Sequence, residues 1–260
     1  MSGRVRSETT DAVGWIVFDH PERRNAISSH MWGELREAVR VFAEDDSIRV
    51  VVMRGEGNEA FVSGADISQF EGVAGEKTSE RLDSSGGDAF EELSRLEKPL
   101  IAMVQGYCIG GGLAVALCAD LRYASTDASF GIPAARLGVG YGIGGIESLA
   151  SVVGPSHAKE ILYTARRYSA AEAFEMGMVN RVSEPAELRP LVEEIAQEIA
   201  GNAPLTVRSV KVLSRELQRE PGRRDTRRIA EVIGACFASE DFGEGVKAFM
   251  EKRSPVFKGR

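Results

Sequence analysis

The sequence is poor in the residues that most often announce a site. Its 260 residues hold three cysteines, three histidines and two tryptophans. Cys108, Cys118 and Cys236 form no CxxC pair and no Cys/His ligand spacing, so neither a metal centre nor a disulfide framework is expected. His20, His30 and His157 are scattered, and no GxSxG elbow or HExxH helix occurs, which removes the corresponding hydrolase and metalloprotease readings. Basic charge does not prevail either: the formal net charge is −7 and the Arg and Lys residues are interspersed with acids, so no nucleic-acid partner is expected. No apolar run approaches the ~18 residues that would argue for a membrane span. Met1–Thr10 is polar, unlike a secretory leader. These absences together predict a soluble, reduced, cytoplasmic protein with no membrane partner.

What is present suits a packed core. Hydrophobic residues make up 43% and charged residues 27% of the chain, a globular composition. Gly14–Asp19, Ile48–Met53, Ile101–Val104 and Leu121–Ala124 read as strands, and Ser29–Ala43 has apolar residues at helical spacing. Strands alternating with helices predict an α/β fold built on a parallel sheet. Glu71–Gly87, rich in Gly, Ser, Glu and Asp, reads as a surface loop leading into a helix over Asp88–Leu96. Beyond Val139 the pattern is helical: Gly144–Val153, Ser156–Thr164, Ser169–Met176 opened by a capping box, Pro185–Ala200, Pro204–Gln218 and Arg227–Met250.

Two stretches carry chemistry. In Ala60–Ile67 (AFVSGADI) the turn Ser63-Gly64-Ala65 precedes Asp66 and a short helix over Ile67–Phe70, leaving backbone N–H groups free to meet an oxyanion. In Lys98–Asp120 a strand ends at Gly106, and Gly110-Gly111-Gly112 opens a helix over Leu113–Ala119, where a ligand can approach the backbone closely. If the two strands are neighbours, each turn offers one N–H to a single oxygen. Gly140-Tyr-Gly-Ile-Gly-Gly145 satisfies GxGxxG, but no strand signal precedes it, so a dinucleotide cofactor is not expected.

Taken together these residues resemble the enoyl-CoA hydratase/isomerase (crotonase) superfamily. The supporting stretches are Pro21-Glu-Arg-Arg-Asn-Ala-Ile27, Ser63-Gly-Ala-Asp66, Lys98 through Asp120, Ser129-Phe-Gly-Ile-Pro133, Leu137–Gly145, Ala171–Asn180, Asn202-Ala-Pro-Leu205 and the tail from Ser239 to Lys258. The likeness implies a crotonase-like ββα spiral core over 1–198 and a C-terminal helical region over 199–260 that assembles a homotrimer or a dimer of trimers. It implies an acyl-CoA thioester as the partner, with CoA as part of the substrate and no separate cofactor. The oxyanion donors would be the N–H groups of Ala65 and Gly111, worth about 3–4 kcal/mol each in the transition state. Arg24 and Ala26 would lie along the pantetheine and phosphates. Ser63, Asp66 and Ile67 would border the adenine, and Phe249 and Lys252 would reach the CoA of a neighbouring subunit.

The chain departs from the family at two positions. Hydratases carry glutamates two residues after the GGG run and directly after the Pro of Phe-Gly-x-Pro; here these are Ala114 and Ala134. A methyl group moves no proton, and general acid–base help is worth about 10²–10⁴-fold. Tyr141 is one candidate to stand in, since the run from Leu137 to Asn180 looks most like the family's methylmalonyl-CoA decarboxylases, which have Tyr at that position and need an electron sink but no base. Those enzymes carry His where this chain has Ala65. Glu147, Asp83 and Asp88 are further candidates. The acyl wall is expected from Met31, Phe70, Ile109, Leu113, Ile132 and Leu137. The alternatives are an acyl-CoA-binding protein without turnover and a scaffold that only assembles.

Overall fold

The computed structural model describes residues 3–66 and 76–260, with the backbone alone over 76–85. Strand β1 (Arg4–Thr10) and strand β2 (Val13–Asp19) form an antiparallel hairpin. Helix α1 (Ser29–Glu44) follows, and its apolar positions Met31, Leu35, Ala38, Val39 and Phe42 form one buried stripe. The chain then repeats one step three times: β3 (Val50–Gly55), β4 (Ala60–Val62), α2 (Glu76–Arg95); β5 (Leu100–Val104), β6 (Tyr107–Ile109), α3 (Gly111–Leu117); β7 (Leu121–Ser125), β8 (Ser129–Gly131), α4 (Ala134–Leu137). After α5 (Ile143–Thr164) come β9 (Tyr168–Ser169), α6 (Ala170–Glu175), β10 (Arg181–Ser183), α7 (Pro185–Gly201), α8 (Pro204–Leu217), α9 (Thr226–Ala238) and α10 (Glu240–Glu251).

The first strand of each step joins a six-stranded sheet, β1-β2-β3-β5-β7-β10, parallel apart from the β1–β2 hairpin. The second strand joins a separate four-stranded sheet, β4-β6-β8-β9, in which only β8–β9 is antiparallel. This is the ββα spiral expected above. A core of Ile16, Phe18, Leu35, Phe61 and Phe130 fills the space between sheets and helices, and α7 covers the outer face of the large sheet through Leu188, Val192 and Ala196.

Several expectations need correction. The helix expected from Asp88 starts at Glu76, so most of the supposed loop is helical; Ala89 and Leu93 bury against the core, and that packing outweighs the poor helix propensity of Gly86 and Gly87. The single helix expected over Arg227–Met250 breaks at Ser239, whose hydroxyl caps α10 by accepting from the Phe242 N–H at 3.1 Å. The chain does not end its strand run at Gly106: with φ +62 there it turns and adds β6 to the other sheet. The two helices expected either side of Gly154-Pro155 are both present, and they meet at a kink where Gly154 leaves helical geometry (φ 77, ψ 163). The short helix expected over Ile67–Phe70 lies outside the described residues.

Candidate active site

The two turns singled out in the sequence lie side by side because β4 and β6 are parallel neighbours, with Ala60 opposite Tyr107 and Val62 opposite Cys108. Gly112 makes the fit: a Cβ there would stand 2.1 Å from the Val62 carbonyl oxygen, so only glycine lets α3 rest on β4. Gly110, at φ 56 and ψ −117, turns the chain from β6 into α3, and its N–H donates to the Gly131 carbonyl at 2.8 Å. At the other turn, Ile27 and Ala65 form a parallel bridge in which Ile27 N–H donates to Gly64 O (2.8 Å) and Asp66 N–H donates to Ile27 O (3.0 Å). That pattern uses the amides on either side and leaves the Ala65 N–H unpaired among the described residues. The Gly111 N–H, in the first turn of α3, is likewise unpaired there. The point where a Cβ on Gly111 would stand is 3.6 Å from the Ala65 nitrogen. Two free donors thus stand next to each other, an arrangement that can grip one anionic oxygen.

The segment around Arg24 borders the same turn. Ser63 N–H donates to Arg24 O at 3.1 Å, and the Ser63 hydroxyl to Arg23 O at 3.2 Å. Arg24 and Asn25 both have positive φ, 50° and 57°. Asn25, expected only as part of the Arg24–Ala26 segment along the CoA path, locks this bend: buried, it accepts from His20 N–H (2.9 Å) and donates to Glu56 O (3.0 Å) and Ala60 O (2.7 Å). Its place in Pro21–Ile27 was the only signal. The Arg24 side chain lies 4.8 Å over the Tyr107 ring and 3.5 Å from Glu59. Ala26 is buried beside Ile27, and Asp66 lies 3.6 Å from Arg23. Ile67 is outside the described residues.

Ala114 and Ala134 sit beyond the amides. Ala114 follows one turn after Gly110, whose carbonyl its N–H meets at 3.0 Å; Ala134 opens α4 just after Pro133, which lies against Gly110. Tyr141 packs on the core, and burial pushes its phenol up to about 12, with Cys118 nearby adding to the shift. Its hydroxyl has no hydrogen-bond partner among the described residues. Burial also pushes the Cys118 thiol up to about 12, and that of Cys108 further up, so both are inert thiols. Glu147 is exposed, and Asp88 is exposed and paired with Arg36 at 2.7 Å. The side chain of Asp83 and the whole of Phe70 are outside the described residues. Of the expected acyl wall, Met31 and Leu113 are buried because their helix faces turn inward, and Ile132, in the link between β8 and α4, is buried in the same core. Leu137 is exposed and Ile109 half-buried.

Among the described residues, no hydrogen bond or ion pair brings Phe249 and Lys252 to this site. They lie at the end of α10, where Phe249 is 83% exposed. With Phe237 and Phe242 it borders an apolar groove of about 620 Å³ between α8, α9 and α10. Among the described residues no group of His, Cys, Asp and Glu could hold a metal, and no helix is long and apolar enough to cross a membrane.

The ββα spiral that carries these two amides is shared with known proteins. The family model for enoyl-CoA hydratase/isomerase matches residues 8–260. The crotonyl-CoA hydratase of Syntrophomonas wolfei is 36% identical over 250 residues, covering 96% of each chain. The carnitinyl-CoA dehydratase of Proteus mirabilis is 37% identical over 264 residues, covering all of both. Among solved structures, an enoyl-CoA hydratase from Bacillus anthracis aligns with a TM-score of 0.92 at 32% identity, over 99% of this chain and 100% of that one. An enoyl-CoA hydratase/carnithine racemase from Magnetospirillum magneticum aligns at 0.94, also 32% identical, over 98% and 96%. The chain belongs to the enoyl-CoA hydratase/isomerase family.

Proposed function

We propose that the chain is a lyase or isomerase of acyl-CoA thioesters that holds the thioester oxygen between the N–H groups of Ala65 and Gly111. The carrying observation is the pair of adjacent unpaired amides. As the thioester becomes an enolate its oxygen gains charge, and donors already aimed at it need no reorganisation. CoA enters as part of the substrate and leaves with the product. Arg24, Ala26, Ser63, Asp66 and Ile67 border its path, and Phe249 and Lys252 serve the CoA of a neighbouring copy. The apolar groove of α8–α10 supports assembly into a trimer or a dimer of trimers, with residues 199–260 as the assembling region of a cytoplasmic enzyme.

The reaction outcome follows from Ala114 and Ala134. With methyl groups at both positions, a mechanism that shuttles water's protons between two carboxylates has no carriers. An outcome that asks only for an electron sink fits better. In the decarboxylation of a malonyl-type thioester, the bond from C2 to the carboxylate breaks, its electron pair enters the enolate, carbon dioxide leaves, and C2 regains a proton from Tyr141 or water. Tyr141, like any phenol, is neutral throughout the physiological range, and its hydroxyl is available there as a donor. The same two alanines favour a second reading, an acyl-CoA-binding protein without turnover.

Mass-spectrometric turnover with crotonyl-CoA, a 3-enoyl-CoA and methylmalonyl-CoA separates these. Loss of carbon dioxide from methylmalonyl-CoA is the expected result. Hydration of crotonyl-CoA would show that another base replaces the glutamates, and binding of all three without conversion would favour the second reading. In the Tyr141→Phe variant the rate should fall by about tenfold or more, with CoA affinity unchanged; an unaltered rate would make Tyr141 structural.

A further inference from the structure

Trp32 is one of two tryptophans, and the helix stripe does not explain it. Its neighbours on α1, Met31 and Leu35, turn fully into the core. Trp32 stands at the edge of that stripe and leans toward α2, where its ring meets Phe90 at 5.3 Å between centroids and 47° between planes. The benzo edge of the indole also approaches the Gly111 turn. Its Cζ2 is 4.0 Å from the point where a Cβ on Gly111 would stand, the same point that lies 3.6 Å from the Ala65 nitrogen. Gly86 on α2 also faces the indole: a Cβ there would stand 3.8 Å from Trp32 Cε2, an ordinary contact.

A carbonyl oxygen held by both amides lies about 2.9 Å from each nitrogen. The indole edge shares the Gly111 position as a neighbour with the Ala65 nitrogen, and so stands near the place that such a carbonyl takes. A large, flat, rigid side chain braced by a second aromatic ring yields little. We infer that Trp32, braced by Phe90, is the wall that limits the acyl group, so that the site takes a short acyl chain and rejects a long one. The inference rests on the reading of the amide pair given above.

The test is equilibrium binding by calorimetry, which needs no knowledge of the reaction. Acetyl-, butanoyl- and octanoyl-CoA are titrated into the full-length protein and into Trp32→Ala, Trp32→Phe and Phe90→Ala, each first shown to unfold cooperatively. The wild-type protein should bind octanoyl-CoA about tenfold or more weakly than butanoyl-CoA, the scale on which pocket size discriminates alkyl groups. Trp32→Ala should close most of that gap, and Trp32→Phe and Phe90→Ala part of it. Tryptophan fluorescence should change on binding in the wild-type protein but not in Trp32→Phe, whose remaining Trp15 lies in β2 against Arg189. A gap that survives in Trp32→Ala, or equal binding of both esters by the wild-type protein, overturns the inference while leaving the acyl-CoA reading standing. Failure of the wild-type protein to bind any ester overturns both.

Discussion

Gly112 has no room for a side chain. Alanine there would place its methyl 2.1 Å from the Val62 carbonyl, so α3 would have to lift from β4 and carry the Gly111 amide with it. Overpacking of this kind costs about 1–3 kcal/mol or more, and urea denaturation of Gly112→Ala should show a loss in that range together with reduced turnover. A variant as stable as the wild-type protein would mean that the turn yields easily. Tyr141 sets a pH signature at the same scale. Burial raises its folded value to about 12, above the ordinary phenol near 10, so the neutral form is favoured in the folded state. Its contribution to stability is full below about pH 10 and is lost as the pH climbs through about 12. The alkaline limb that an ordinary phenol would impose on kcat/KM should therefore be absent around pH 10, and a limb at that pH which disappears in Tyr141→Phe would contradict the burial. These residues were legible as candidates from their motif alone. Trp32 and Asn25 were not, because nothing in a helix stripe or a turn reveals which outside element will lean on it.

At the scale of elements, α8 is held to the core by charge. Lys211 Nζ, 6% exposed, lies 2.7 Å from Asp120 and also donates to the Lys98 carbonyl at 2.6 Å; Asp120 in turn accepts from the Leu100 N–H at 2.7 Å. Glu97 adds a second tie through Arg228 at 2.8 Å and through Arg208. Removing one partner of a buried pair costs about 3–5 kcal/mol, and because Asp120 is a third exposed the figure for Asp120→Ala is about 2 kcal/mol. Chemical denaturation, with Lys211→Met and the double variant completing the cycle, measures it; an interaction energy near zero would show that apolar packing alone holds α8. Helix α1 could be read directly from Met31, Leu35, Ala38, Val39 and Phe42. Strands β4, β6 and β8 could not, since three residues are too few to show a period. Strand β1 was hidden because it is an edge strand of mostly polar residues, RVRSETT, defined by pairing with β2.

For the whole molecule the open question is assembly. Phe237, Phe242, Phe249 and Met250 are all more than half exposed on α9 and α10 and border one groove. A contiguous apolar surface of this kind marks an interaction site. Light scattering should give the mass of a trimer or its double, and Phe242→Asp with Phe249→Asp should shift it toward the monomer. A monomeric wild-type protein would remove Phe249 and Lys252 from the neighbouring copy's CoA site.

The sequence by itself determined the succession of β2, α1, β3, β5, α3 and β7, the helical character of the chain beyond Val139, the two glycine-rich turns, and alanine at 114 and 134, because these are properties of local pattern and residue identity. Only the tertiary structure decided that the two turns meet, that Trp32 stands beside their amides, and that α2 begins at Glu76. Each of those depends on which strands pair and which helix faces touch, contacts between residues far apart in the chain that no local window contains.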